Sequence, residues 1–184
     1  MNTRFIESIK TLKKWISKNE VIVKNKRWIN GKEIVEIENI KFITQTLSSE
    51  EIEVIKAFTN HLLPNTYYHF LTEIGSGQFF VGEYFSSFEL YNFAELKENN
   101  QLFQQEIKDF EKPVNEQFMI IGIHCSMGDW MGFCTSKTDE KNFDVYCHEY
   151  PIDEYVEISN ELNSLRSFEE WIIRVVETKG KEAL

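Results

Sequence analysis

Apolar residues recur every three or four positions at the start of the chain. The residues with this spacing are Phe5, Ile6, Ile9, Leu12, Trp15 and Ile16, which predicts an amphipathic helix. Basic side chains cover much of the remaining helix surface. Such a helix can lie on a membrane, but packing against the rest of the protein is the simpler interpretation. Short apolar runs then flank Asn30-Gly31, a pair that accepts the positive φ angles of a type I′ turn, so a β-hairpin is predicted.

Four further helices are predicted, three of them with end signals as well as apolar spacing. Ser48 with Glu51 and Ser167 with Glu170 each fit a capping box, in which two side chains satisfy free N–H groups at a helix start. Pro64 suits the first turn of a helix that ends at the glycines of residues 75–77. A helix over residues 93–110 is predicted from apolar spacing alone.

Strand-like runs occupy the remaining apolar segments. They cover residues 78–81, 87–90, 118–125, 130–135 and 143–147. Helices and strands segregate along the chain instead of alternating. The predicted fold class is therefore α+β, with a central, mostly antiparallel sheet packed by helices.

Charge divides the chain into two parts. Residues 1–45 hold ten basic and five acidic side chains, whereas residues 46–184 hold ten basic and 25 acidic ones. This asymmetry predicts an N-terminal helix and hairpin extension over residues 1–45 and a main domain over residues 46–184. The net charge of −10 argues against direct binding to nucleic acid, because phosphates repel such a surface.

Composition also bears on the compartment. No apolar run approaches the length of a membrane span, and the first residues lack the pattern of a signal peptide. The three cysteines are odd in number and none forms a CxxC pair. We therefore expect a cytoplasmic protein without membrane contact.

Cysteine and histidine form the one chemically suggestive constellation. His124-Cys125, Cys134 and Cys147-His148 all fall on strand-like runs. Thiolates with imidazoles bind zinc, and a cysteine beside a histidine can serve as a nucleophile. However, neighbouring residues on a strand point to opposite faces, and no motif for an activated cysteine is present. We predict no catalytic residue, no metal site and no cofactor.

Residues 139–161 carry eight acidic side chains and one lysine, interleaved with aromatic residues. Two interpretations are open: a solvated acidic edge, or a docking surface on which charge steers a basic partner and aromatic anchors hold it. The predicted partner-binding residues are Asp129, Trp130, Asp139, Glu140, Asp144, Tyr146, Glu149, Tyr150, Asp153, Glu154, Tyr155 and Glu157.

Two segments resemble the patterns of the SUKH superfamily. Residues 63–71 read LPNTYYHFL and match its L-P-x-x-Y-x-x-F-L pattern, while residues 167–172 read SFEEWI and match its closing helix. An apolar strand and the Gly128-Asp129 turn lie between them in the family's order. The resemblance covers about residues 48–178, although the Asn of the family's Asn-Gly-Gly turn is absent.

The resemblance implies a non-enzymatic α+β domain. Bacterial members of this superfamily resemble immunity proteins that bind a cognate toxin, often a nuclease. Nucleases that engage phosphates are typically basic, which agrees with the acidic main domain. The hypothesis is therefore an immunity protein that occludes a basic toxin domain. The alternatives are a regulatory or scaffold module of the same family, or a thiol- or metal-dependent enzyme.

Overall fold

The computed structural model describes residues 1–83, 87–109, 114, 116–125, 129–137, 139–146, 161 and 164–181. Within these residues the fold is α+β, as predicted: helices pack on an antiparallel sheet. None of the helices in these residues combines the length and the apolar character that a membrane span requires. The elements are α1 (Thr3–Lys18), β1 (Val21–Ile29), β2 (Lys32–Gln45), α2 (Ser49–Phe58), α3 (Asn65–Glu73), β3 (Ser76–Val81), β4 (Phe88–Leu90), α4 (Phe93–Glu106), a 3₁₀ turn (Ile107–Asp109), β5 (Phe118–His124), β6 (Asp129–Cys134), β7 (Phe143–Tyr146) and α5 (Phe168–Glu177).

The described strands form one seven-stranded sheet in which spatial order equals chain order, β1 to β7. Every pairing is antiparallel. Register shifts interrupt the β2–β3 and β5–β6 pairings. At the first of these, Phe80 has a φ of 54° and both it and Phe79 are buried. The bulge therefore turns two consecutive aromatic rings away from solvent.

Local signals explain where most elements begin and end. Asn30 and Gly31 have φ angles of 52° and 76°, which confirms the predicted hairpin turn. Both predicted capping boxes are present, at Ser48 and Ser167. A third box, which the sequence interpretation missed, opens α4 at Asn92 with Glu95.

The start of α3 corrects one prediction. Pro64 does not lie inside the helix but at the N-cap position, with extended backbone, and the helix begins at Asn65. The helix ends just before Gly75, as expected, and Gly75 has a φ of 96°. A β-carbon on Gly75 would lie 1.9 Å from the carbonyl oxygen of Gln45. Glycine is therefore needed here both for its conformation and for the approach of β2.

Helices α3 and α5 cover one face of the sheet with aromatic packing. Trp171 lies 4.8 Å from Phe88 and 5.0 Å from Phe143 between ring centroids. Tyr67 of α3 packs edge-on against Phe168 of α5 at 5.5 Å. All five of these side chains are at most 1% exposed, so this face forms the centre of the core.

Two adjacent tyrosines in α3 differ in how their hydroxyls are satisfied. The Tyr68 hydroxyl shares a 2.6 Å hydrogen bond with the hydroxyl of Thr59. The Tyr67 hydroxyl is buried and has no hydrogen-bond partner among the described residues. Burial raises the pKa of Tyr67, because the phenolate would lose its hydration.

Helix α4 lies on the opposite face of the sheet. Its Phe103 ring packs edge-on against Phe118 of β5, at 5.9 Å. The buried amide of Asn100 donates to the carbonyl of Ile120 at 2.7 Å and accepts from its N–H at 2.9 Å. This paired exchange fixes the helix on β5, because an unpaired buried amide would be costly.

Residues 1–45 contribute directly to the same core. Phe5, Ile9 and Leu12 of α1 are at most 3% exposed. Helix α1 packs against α5 and α3, and exposed ion pairs join Arg4 to Glu177 and Lys13 to Glu73. The expected packing of this helix against the rest of the protein is therefore confirmed.

Candidate functional site

An open cavity of about 710 Å³ lies where α3 and α5 begin. The connection between β6 and β7 closes its third side. The lining residues come from these three places and from the chain start: Met1, Leu62, Pro64, Asn65, Thr66, Thr135, Lys137, Asp139, Glu140, Asn142, Ser167, Phe168 and Glu169. Both sequence motifs that carry the family resemblance therefore contribute to one cavity.

The two helix starts meet here because their first apolar residues pack together. Phe168, the first residue of α5, is 1% exposed and contacts the Tyr67 ring in the first turns of α3. The capping box holds the chain at Ser167, whose hydroxyl accepts from the N–H of Glu170 at 3.1 Å. Packing and capping together leave the N-termini of α3 and α5 at the rim of the cavity instead of in the core.

Carboxylates dominate the charge of the rim. Asp139 and Glu140 are exposed, and the Asp139 carboxylate accepts from the N–H of Lys141 at 2.8 Å. Glu169 is half-buried and accepts from the N–H of Asn2 at 3.3 Å. Lys137 is the single basic side chain in the lining. The arrangement suits the basic side chains of a partner.

Apolar groups border the same opening. Met1 is 69% and Leu62 52% exposed, and both line the cavity. Carboxylates beside exposed apolar side chains provide charge for steering and apolar area for contact, the two requirements of a docking surface.

Three predicted docking residues are packed on the face of the sheet that carries α4. Asp144 is 2% exposed, and its carboxylate accepts from the Ser164 hydroxyl at 2.5 Å. Tyr146 is 3% exposed and packs edge-on against Phe118 at 5.1 Å. Trp130 is half-buried, 4.8 Å from the Phe103 ring.

Asp129 is also buried, at 3% exposure, opposite His124 in the β5–β6 ladder. Asp139 and Glu140 are thus the exposed members of the predicted set among the described residues. Six further predicted residues lie outside the described part of the chain: Glu149, Tyr150, Asp153, Glu154, Tyr155 and Glu157. Their role stays a prediction.

The cysteines and histidines within the described residues do not converge. His124 and Asp129 pair at one end of the β5–β6 ladder, while Cys134 pairs with Phe118 at the other end. Cys134 is fully buried and Cys125 half-buried. No group of three or more metal-ligating side chains occurs in the parts of the chain the structure describes. Cys147 and His148 lie outside them.

His124 is a buried titratable group that lies opposite Asp129 in the β5–β6 ladder. It is 6% exposed. Burial lowers the pKa of His124, because the imidazolium would lose hydration, and the nearby Asp129 carboxylate opposes this only in part. The neutral imidazole is therefore the form that the fold favours.

Sequence reasoning missed Leu62, Glu169 and Lys137 as residues of the candidate site. The signal was present, since the L-P start of α3 and the capped S-F start of α5 both mark helix N-termini. That these termini meet depends on the contact between Tyr67 and Phe168, which spans about a hundred residues and leaves no local pattern.

Comparison with known proteins identifies the family of the chain. Neither curated proteins nor solved structures give a significant match to the chain. A family model, described as the SMI1 / KNR4 family (SUKH-1), matches residues 46–174. This span includes both helix starts of the cavity and the sheet from β3 to β7. The chain belongs to the SMI1 / KNR4 family (SUKH-1).

Proposed function

We propose that this protein is an immunity protein that binds a cognate toxin with a basic surface. It acts in the cytoplasm, without turnover, by occupying the surface with which the toxin engages its target. Family membership supports this role. The excess of acidic over basic side chains in residues 46–184 supports a basic, nuclease-type toxin domain.

The acidic cavity is the single observation that carries the proposal. Asp139 and Glu140 stand exposed at its rim, with Glu169 beside them. Lysine or arginine side chains of the toxin enter this opening and meet the carboxylates, while Leu62 supplies apolar contact. Asp139 also begins the acidic stretch of residues 139–161 in the sequence.

Electrostatics sets the expected size of the effect. A concentrated negative surface speeds encounter with a positive one by about tenfold to a thousandfold at low salt, and salt screens this gain. Two of several carboxylates account for part of it. Removing the charges of Asp139 and Glu140 should therefore slow association by about two- to tenfold at low ionic strength.

The experiment pairs the full chain with the toxin domain encoded beside its gene, carrying a substitution that abolishes toxicity. Stopped-flow kinetics compare wild type with the double variant Asp139→Asn, Glu140→Gln across salt concentrations. The matched control is Glu98→Gln with Glu106→Gln, which removes two exposed charges from α4, outside the cavity. We expect slower association and a flatter salt dependence for the cavity variant only.

Protection of growing cells from the active toxin provides the second readout. If the wild-type chain neither binds nor protects against this toxin, the immunity function is wrong. If it protects, but both double variants associate at equal rates with equal salt dependence, then the function stands and the cavity is not its docking surface.

A further inference from the structure

The β1–β2 hairpin extends well beyond the rest of the sheet. Strand β2 pairs with β3 only from Lys41 onward, whereas β1 and β2 stay paired from Val21 to the turn at Asn30. Residues 24–37 form the outer part of this hairpin, here called the β-arm. At about 3.4 Å per residue it reaches roughly 20 Å past the pair of Val23 and Glu38, of which Val23 is buried.

The β-arm carries exposed apolar side chains on both faces. Trp28 is 71%, Val35 49% and Ile37 69% exposed, and the register places these three on one face. Ile29 and Ile34 are 47% and 41% exposed on the other face. This set includes nearly half of the large apolar side chains that stand exposed in the described residues.

A two-stranded hairpin without a cover is marginally stable in water. Within the part of the chain that the structure describes, every β-arm side chain with a defined position is exposed. Its first residue is tied to the body, where Lys181 donates to the carbonyl of Lys24 at 2.7 Å. Exposed tryptophan and isoleucine on such an element are typical of a binding surface.

The charge of the β-arm indicates which kind of partner surface it binds. The β-arm contains Lys24, Lys26, Arg27 and Lys32 against two glutamates, whereas residues 46–184 carry 25 acidic and ten basic side chains. A basic toxin is repelled by the β-arm. The acidic body of this same chain is complementary to it.

We propose that the β-arm docks on the acidic body of a second copy of this chain, and that the second copy's β-arm docks back in the same way. Such a reciprocal contact is a closed twofold dimer, the commonest symmetric assembly. It contains two equal arm–body contacts, which doubles the area that one β-arm can bury toward the roughly 1,600 Å² of a stable complex. This inference is independent of the proposed immunity function.

Sedimentation velocity of the full chain between about 1 and 100 μM tests the proposal, a range in which dimers of ordinary affinity dissociate and form. We expect a wild-type dimer at the upper concentrations. The variant Trp28→Ser with Ile37→Ser should weaken dimerisation about 100-fold, because buried tryptophans act as interface anchors. The matched control, Val54→Ser with Leu102→Ser, removes exposed apolar groups from α2 and α4 and should remain dimeric.

A charge variant tests the choice of partner surface. Lys24→Glu with Lys32→Glu should shift the protein toward monomer at low salt, and added salt should reduce the difference from wild type. All four substituted positions on the β-arm are exposed, so far-UV circular dichroism should be unchanged.

Three outcomes overturn the proposal. The first is a wild-type chain that stays monomeric at about 100 μM. The second is a dimer that the Trp28 and Ile37 substitutions leave intact. The third is a monomeric chain whose β-arm variant alone loses protection against the toxin, which assigns the β-arm to the toxin instead.

Discussion

Replacing Leu12 with alanine tests whether helix α1 belongs to the cooperative core. The Leu12 side chain is fully buried among residues that belong to the same cluster as the aromatic face of the sheet. If α1 folds together with residues 46–184, a cavity at this site destabilises the whole protein. If α1 is only appended to a separate domain, that domain unfolds as before.

The magnitude follows from the buried side chain. Losing three carbons costs about 2.4 kcal/mol, at about 0.8 kcal/mol for each one. A residual void of about 50 Å³ adds about 1 kcal/mol at 24 cal/mol per Å³. The higher helix propensity of alanine returns a few tenths of a kcal/mol. The free energy of unfolding should therefore fall by about 3 kcal/mol.

Urea unfolding, followed by tryptophan fluorescence and by circular dichroism, measures this loss. With a slope of about 2 kcal/mol per M, the midpoint should move down by about 1.5 M for Leu12→Ala. Lys14→Ala is the matched control on the exposed side of the same helix, and it should change the free energy by less than about 0.5 kcal/mol.

Two results would refute the reasoning. One is a Leu12→Ala midpoint that coincides with that of Lys14→Ala. The other is a pair of separate transitions, of which only one responds to the substitution. Either result would support a boundary near residue 45 between an N-terminal extension and an independent domain.

Three further predictions concern single sites. Gly75→Ala should lower the free energy of unfolding by about 3 kcal/mol or more, because the added β-carbon meets a strand carbonyl. The control Gly31→Ala places its β-carbon in open space and should cost about 1 kcal/mol. Equal losses in thermal unfolding would contradict the close approach at Gly75. In urea unfolding, Tyr67→Phe should leave stability unchanged or slightly higher, since it removes a buried hydroxyl without a described partner. Tyr68→Phe should lower stability by about 1 kcal/mol, because it removes the hydrogen bond to Thr59. The reverse order would show that the Tyr67 hydroxyl is satisfied. Because burial lowers the pKa of His124 in the folded state, the unfolded chain takes up the proton first as pH falls below about 6.5. Between about pH 7 and pH 5, the range in which histidine titrates, wild type should therefore lose more stability than His124→Gln. Urea midpoints that change in parallel for the two proteins would rule this out.

Elements defined by neighbouring residues could be predicted from the sequence. The Asn30-Gly31 turn and the boxes at Ser48 and Ser167 each depend on contacts within four positions, and the structure confirms all three. The capping box at Asn92 has the same local form and was equally predictable, although it was not predicted. Pro64 was placed one position too far into its helix, an error of boundary and not of element.

Features that depend on the sheet as a whole could not be predicted in this way. Asp144 and Tyr146 belong to an acidic, aromatic stretch that suggests a surface, yet a strand covered on both faces buries them. The bulge at Phe80 shifts the alternation of inward and outward residues, which periodicity alone assumes to be regular. The acidic cavity exists only because two helix starts, distant in sequence, pack against each other.

The late position of α5 in the chain has a consequence for synthesis. All seven described strands precede it, and their aromatic face is covered by Phe168 and Trp171. A ribosome that adds roughly 5–20 residues per second needs about 1–4 s to pass from the end of β7 to the start of α5. Throughout that time the nascent sheet exposes the rings that α5 later covers. Premature release of the chain before α5 therefore leaves an aggregation-prone sheet, and not a smaller functional protein.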